Sequence, residues 1–317
     1  MIPFLDAEQV EDALPYADLI ASIKEAFRRS TIHVPARQHY LIEAKDEPIQ
    51  TLLLMPAWEP AKGTGLKMVT IHPGNKNRAL PAIQGLYILL DGSTGKLKLL
   101  LDGPTLTARR TAATSALAAA FLARKDSGQI MLMVGTGALS LPLMAAHSSR
   151  MSFEHIYLWG RDFAKAQNKA HEAQKMGLPV EAVRNLDKVA CRADLISCAT
   201  LSHTPLIEGK WLKPGCHIDL VGGFTPQMRE ADDEAILRAA LFVDTKLGAL
   251  AEAGDIIDPL SRGIIKEADI KADLFDLCQG KHSGRQSQDE ITLFKSVGNA
   301  IEDLAAALLA ARTSEPL

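Results

Sequence analysis

The stretch that most constrains this chain is a short apolar run, Gln129 to Val134, which leads into Gly135-Thr136-Gly137-Ala138-Leu139-Ser140. A glycine pair in that spacing is weak evidence alone. Here an apolar strand precedes it, Leu139 to Ser149 can form a helix, and a second strand follows at His155 to Trp159. Strand, glycine turn, helix and strand in that order is the context a dinucleotide-binding turn requires. Gly135 and Gly137 let the backbone approach a pyrophosphate, which would rest on the helix N-terminus beside Ala138 and Leu139. Ser140 is small enough to keep that helix close to its strand.

The alternation continues. Phe163 to Met176 reads as a helix, and Val180 to Val183, Asp194 to Ala199, His217 to Gly222 and Leu241 to Asp244 read as strands. Strands alternating with helices predict an α/β fold, a Rossmann-type doubly wound parallel sheet. The second strand ends in Trp159-Gly160-Arg161-Asp162. An acid there would bind a ribose 2′-hydroxyl, whereas Arg161 can pair with a 2′-phosphate. The expected cofactor is therefore NADPH, and Asp162 keeps NADH open.

The first hundred residues follow another rule. Asp18 to Arg29 has one apolar face, with Leu19, Ile20, Ile23 and Phe27 at helical spacing. Strands are expected at Gln50 to Met55, Leu66 to Ile71, Leu86 to Leu90 and Leu97 to Leu101, the last two joined by Asp91-Gly92-Ser93-Thr94-Gly95. An alanine-rich helix, Gly103 to Lys125, closes this mainly β region. Arg109 and Arg110 near its start point about 100° apart, so they do not share one site. Either both are solvated, or one turns inward to clamp a carboxylate or phosphate. Asp289 to Arg312 reads as mostly helical, with Ile301, Leu304, Leu308 and Leu309 apolar.

Composition narrows the class. With 317 residues the chain suggests about two domains, and 47% hydrophobic with 23% charged residues is ordinary for a soluble protein. A net charge of −3 without a basic block argues against nucleic acid, and no apolar run reaches membrane-spanning length. The four cysteines form no C-x-x-C pair, which suggests reduced thiols and no zinc site. The N-terminal stretch is acidic where a secretory signal would be basic, so the expected location is cytoplasmic. His33, His39, His72 and His282 have no metal-ligand spacing, and no metal is expected. Glu252 and Asp255, on a glycine-containing loop, are expected to cap or pair structurally.

Several blocks together carry a more specific resemblance. They are Leu66-Lys67 before Ile71-His72-Pro73, Gln84-Gly85, and Leu106-Thr107-Ala108-Arg109-Arg110-Thr111-Ala112-Ala113. They continue with Gly135-Thr136-Gly137-Ala138, Glu252-Ala253-Gly254-Asp255, and Glu290 through Phe294-Lys295-Ser296-Val297-Gly298. In this order they resemble the ornithine cyclodeaminase/μ-crystallin family over essentially the whole chain. The resemblance implies a homodimer of two-domain subunits with the active site in the cleft. Residues 1–123 plus 289–317 would form an α+β dimerisation and substrate domain, with a Rossmann domain at 124–288 inserted into it.

By position, the resemblance implies that Arg110, Lys67 and Arg37 hold a substrate carboxylate, with Lys67 and Arg110 catalytic. It places Thr111, Thr200, Val221, Gly222 and Ser296 against the cofactor, and Phe224 and Val297 against the substrate. One departure is informative. The cyclodeaminases carry Val-Gly-Gly-Asp where this chain has Val221-Gly222-Gly223-Phe224. Phe224 cannot accept a proton or pair with an ammonium group, but it can wall a small ring. The variant resembles the family's Δ1-pyrroline-2-carboxylate reductases. The implied activity is NAD(P)H-dependent reduction of a cyclic imino acid, with Lys67 or a water it holds as proton source. Ornithine cyclodeamination, reductive amination like that of alanine dehydrogenase, and simple cofactor and ligand storage are the alternatives.

Overall fold

Two sheets with different pairing rules account for the change of pattern along the chain. The computed structural model describes residues 2–45, 47–125 and 129–313 and divides into two compact units, Met1–Arg110 with Asn299–Leu317, and Thr111–Gly298.

In the first unit, β1 (Phe4–Leu5) leads to α1 (Ala7–Ala13), whose start is capped by the Asp6 side chain, and then to α2 (Tyr16–Arg28). The strands are β2 (Gln38–Ile42), β3 (Gln50–Glu59), β4 (Gly63–Ile71), β5 (Ile83–Asp91) and β6 (Leu97–Asp102). They form a six-stranded sheet in the order β1-β6-β5-β4-β3-β2, antiparallel except for the β1–β6 pair. Met55, Lys67 and Tyr87 lie in register across β3, β4 and β5 on the buried face. The C-terminal helix (Ala300–Thr313) sits on that face: a Cβ built on Gly63 would meet Leu308 at 2.9 Å. Leu89, Leu99, Leu101 and Leu304 are fully or almost fully buried, each contributing about 1.5–3 kcal/mol. By strand alternation, Leu52, Leu54, Leu66, Met68, Leu86 and Ile88 face the other way and are at best half-buried.

Helix α3 (Gly103–Leu122) carries the chain from the first unit into the second, which begins at Thr111. There follow β7 (Gln129–Val134), α4 (Ser140–Ser148), β8 (Phe153–Trp159), α5 (Phe163–Lys175), β9 (Val180–Val183) and α6 (Leu186–Ala190). Next come β10 (Leu195–Cys198), β11 (His217–Leu220), α7 (Asp233–Arg238), β12 (Ala240–Val243), α8 (Lys246–Glu252) and α9 (Gly254–Ser261). The unit ends with β13 (Ile270–Asp273), α10 (Leu274–Cys278) and β14 (Thr292–Lys295). The eight strands are all parallel, ordered β13-β12-β14-β11-β10-β7-β8-β9. The order reverses between β7 and β10, which opens a ligand crevice at the carboxyl ends of those strands.

Inside this unit the Asp219 carboxylate, fully buried, accepts from Ser115 Oγ at 2.9 Å and Ser197 Oγ at 2.7 Å and lies 3.2 Å from His147 Nε2. Burial works to raise its pKa, and the His147 and Ser197 interactions outweigh it, holding the group below the ordinary carboxylate range. The network ties α3, α4, β10 and β11 together.

The parallel α/β sheet matches the sequence expectation, and three local expectations change. Gln38–Ile42, with its polar start and every position exposed, is an edge strand that apolar patterning does not reveal. Asp289 to Arg312 is not helical from its start: Thr292–Lys295 is a fully buried strand paired with both β11 and β12, and helix begins at Ala300. That pairing draws residues 289–298 into the parallel-sheet unit, so the division falls at Gly298 and, upstream, within α3 at Arg110 rather than at 123 and 289. Among the described residues no helix is long and apolar enough to cross a membrane.

Candidate active site

The glycine turn lies at the carboxyl end of β7, beside the crevice. Gly135 has φ +119°, and a Cβ there would stand 2.5 Å from the Ala199 carbonyl oxygen beyond β10. Only glycine meets both conditions. Gly137 and Ala138 are exposed, and a Cβ on Gly137 would meet nothing within 4 Å, which leaves room for a ligand at the backbone. Leu139 occupies the N-cap of α4 without any side-chain cap, so the first backbone N–H groups of a nine-residue helix are presented to that space. These residues fit a dinucleotide pyrophosphate, which neutralises a helix N-terminus.

At the end of β8, Arg161 is exposed. Asp162, the competing acid, spends one oxygen as the N-cap of α5, accepting from Ala164 N at 3.0 Å and Lys165 N at 3.2 Å. Thr200 follows β10 and Val221-Gly222 follow β11, so both lie on the crevice side of the sheet. Thr111 is buried on α3. Ser296 and Val297 follow β14, where the Asp244 carboxylate accepts Val297 N at 2.8 Å and Gly298 N at 2.7 Å. Phe224, on the loop after β11, is 40% exposed.

In the first unit, three cations converge on one carboxylate. Lys67 on β4 is 2% exposed, and its Nζ lies 3.0 and 2.9 Å from the two oxygens of Asp303. Arg110 Nε stands 2.9 Å from Asp303, and its Nη1 donates to Glu302 at 2.5 Å. Arg37, half-buried before β2, acts on Asp303 through its charge. Burial favours a protonated Asp303, but the charges of Arg110, Lys67 and Arg37 keep its pKa below the usual range. Burial, then the Arg110 charge, push Lys67 down to about 8 against the pull of Asp303 and Glu302. Two buried cations, Lys67 and Arg110, are thus held against the buried carboxylates of Glu302 and Asp303.

The adjacent arginines separate as helix geometry requires. Arg109 points to the Leu14 carbonyl, with Nε at 2.9 Å, and stacks 4.2 Å from the Tyr16 ring centroid. Arg110 is the one turned into the charged cluster.

Sequence reasoning missed Glu302 and Asp303 as members of this cluster. The available signal was an acidic pair followed by an otherwise apolar helix, Leu304 to Ala311, where both carboxylates prove fully buried. It also missed Tyr87, which stands opposite Lys67 on β5 with its hydroxyl buried. Also missed were Lys295 and Glu230, which meet Asp255; all three are fully buried behind Gly222 and Gly223 in the second unit. Asp255 does pair structurally, accepting Glu230 N at 2.8 Å and Ala231 N at 3.1 Å. Among the described residues no cluster of three or more His, Cys, Asp or Glu side chains is placed to hold a metal ion.

A parallel sheet reversing beside a glycine turn and an uncapped helix start defines a Rossmann-type dinucleotide-binding protein, here with an α+β unit that carries a buried cationic cluster. More narrowly, the chain belongs to the ornithine cyclodeaminase/mu-crystallin family, whose sequence pattern matches residues 3–313. It is 43% identical over 319 residues to an uncharacterized protein of Schizosaccharomyces pombe, covering 97% of this chain and 96% of that one. It is 38% identical over 307 residues to a Delta(1)-pyrroline-2-carboxylate reductase of Colwellia psychrerythraea, covering 96% of each. Among solved structures, that of Thermococcus litoralis Delta(1)-pyrroline-2-carboxylate reductase in complex with NADH and L-proline superposes with a TM-score of 0.91. The two chains are 32% identical, with 99% of this chain and 97% of that one covered.

Proposed function

We propose that this chain is a nicotinamide-dependent reductase of cyclic imino acids that converts Δ1-pyrroline-2-carboxylate to L-proline. The observation that carries the reading is the buried meeting of Lys67 and Arg110 on Asp303, with the Arg37 charge acting on the same group, a set of cationic donors of the kind that recognises a substrate carboxylate. The Colwellia relative's name and the L-proline in the Thermococcus structure support the same substrate. The nicotinamide, when bound, supplies the hydride that reduces the carbon–nitrogen double bond.

The chain's own residues do the rest. Arg110 and Lys67, with Arg37 assisting, grip the carboxylate and fix which ring face is presented. Lys67, at about 8, is protonated at neutral pH and is the proposed proton source for the imine nitrogen, directly or through a water. Thr111, Thr200, Val221, Gly222 and Ser296 shape the cofactor side, and Phe224 and Val297 wall the substrate. Phe224 offers no acid or base, which weighs against ornithine cyclodeamination. Arg161 favours NADPH, and the NADH of the Thermococcus structure favours the other cofactor. The apolar outer face of the β2–β6 sheet suits a homodimer, and four free cysteines suit a reducing cytoplasmic setting.

The test is loss of reduced-nicotinamide absorbance with purified protein and Δ1-pyrroline-2-carboxylate, NADPH and NADH in parallel tubes. Rapid oxidation of either is expected, and their ratio tests Arg161. Ammonia release from L-ornithine with NAD, and no imine reduction, would overturn the proposal.

A further inference from the structure

Behind the loop that follows β11 lies a charged centre that the proposed reaction does not use. Lys295 on β14 donates to the Gly222 carbonyl, and its Nζ stands 3.3 Å from Asp255 and 4.0 Å from Glu230. All three side chains are fully buried. Glu230 Oε1 accepts both Thr200 N at 2.7 Å and Thr200 Oγ1 at 2.8 Å, while its Oε2 has no hydrogen-bond partner among the described residues. A Cβ on Gly222 would meet Glu230 Oε1 at 2.5 Å, and one on Gly223 would meet Asp255 Oδ2 at 2.7 Å. The charges thus lie directly against the backbone of the two segments, Thr200 and Val221–Gly223, that end β10 and β11.

A dinucleotide across this switch point places its two halves on opposite sides of β7. With the adenosine half toward β8 and Arg161, the nicotinamide half falls on the side of β10 and β11. That side holds Glu230. We infer that the Glu230 carboxylate is a positioning residue that favours the oxidised, positively charged nicotinamide over the reduced, neutral one. The inference rests on the nicotinamide reading above.

The charge tally supports it. Lys295 faces Glu230 and Asp255, one cation against two carboxylates. Around them, Arg229 (Nε 3.7 Å from Asp255) and Arg262 are matched by Asp233 and Asp258. The Cys198 thiol on β10 is pushed well up by burial, with Glu230, Asp255 and the buried Asp219 adding to the shift, and stays neutral. The centre therefore carries one more negative charge when Glu230 is ionised than when it is protonated. Burial raises Glu230 to about 7, with Lys295 opposing and Asp255 adding to the shift, so the change falls in the neutral range. Surplus buried charge weakens a fold. An anchor needed only for Thr200 would be served by an amide, whose oxygen accepts the same two hydrogen bonds. The carboxylate adds charge, which acts strongly at an interior dielectric of about 20.

The experiment measures dissociation constants for NAD+ and NADH, and in parallel for NADP+ and NADPH, by calorimetry on the full-length protein, from about pH 6.5 to 8.5, for wild type and Glu230→Gln. The preference for the oxidised over the reduced form of the couple that binds is expected to grow several-fold, up to about tenfold, as pH rises in the wild type. In Glu230→Gln it should be flat and sit at the wild-type acid value, and Glu230→Asp should restore the slope. A flat wild-type preference overturns the inference even if Glu230→Gln does not fold. A slope that persists in Glu230→Gln also overturns it. Failure to bind any of the four dinucleotides overturns the nicotinamide reading along with this one, whereas binding without a pH-dependent preference overturns this one alone.

Discussion

Replacing Lys67 by methionine should move stability and turnover in opposite directions. A free lysine titrates at 10.5, and Lys67 in the fold at about 8. At about 1.4 kcal/mol per unit, the folded protein holds the charged form roughly 3 kcal/mol less favourably than the unfolded chain does. Methionine has similar length and no charge. It forfeits the hydrogen bond to Asp303 at 3.0 Å, worth about 1 kcal/mol. Asp303 is not orphaned, because Arg110 Nε remains 2.9 Å away. The expected balance is a variant about 2 kcal/mol more stable than wild type at pH 7. The sign depends on pH. Between about 8 and 10.5 the unfolded wild type binds more protons than the folded protein, so wild-type stability rises with pH and the gap closes. Denaturant melts at pH 7 and pH 10 measure this. In the same variant kcat/KM for imine reduction should fall by about 2–4 kcal/mol, roughly 30- to 1000-fold. A Lys67→Met protein that is less stable than wild type at pH 7, or that keeps near-normal kcat/KM, would refute the reasoning.

Arg110→Ala should lower kcat/KM by about 2–4 kcal/mol through loss of charge-assisted bonds to the substrate, and near-normal steady-state kinetics would remove it from the clamp. Gly137→Ala should leave the melting temperature almost unchanged, since its Cβ enters open space, while nicotinamide affinity falls; Gly135→Ala should destabilise the protein by at least about 1–3 kcal/mol from its φ of +119° alone. Asp219→Asn should destabilise by about 2–3 kcal/mol at neutral pH. Because the folded Asp219 pKa is depressed, its contribution is present above the unfolded value near 4 and is lost as pH falls through the lower folded one, so the variant's acid unfolding curve should be shallower.

Much of the second unit was legible because its determinants are local. Gln129–Val134 and Val180–Val183 form strands over the spans expected, since an apolar run bounded by turn residues specifies its own ends. The glycine turn was legible for the same reason. Thr292–Lys295 was not, because three apolar or β-branched residues and a lysine beside a helical run carry no period that separates strand from helix. Its strand state comes from pairing on both edges with β11 and β12.

The charged cluster divides along the same line. Lys67 and Arg110 stood out as polar residues within apolar or small-residue surroundings, and by resemblance to a family. Glu302 and Asp303 sit in the first turn of their helix, where acidic residues ordinarily favour the helix dipole and face water. Their partners lie 192 and 236 residues away in the chain, at Arg110 and Lys67. Sequence by itself determined the parallel sheet, the dinucleotide turn and the cationic side chains, because periodicity, glycine and charge act over a few residues. Tertiary structure alone decided which carboxylates those cations meet and how deeply Glu230 and Lys295 are buried. Desolvation and Coulomb energy depend on distances in space, and no local pattern encodes those distances.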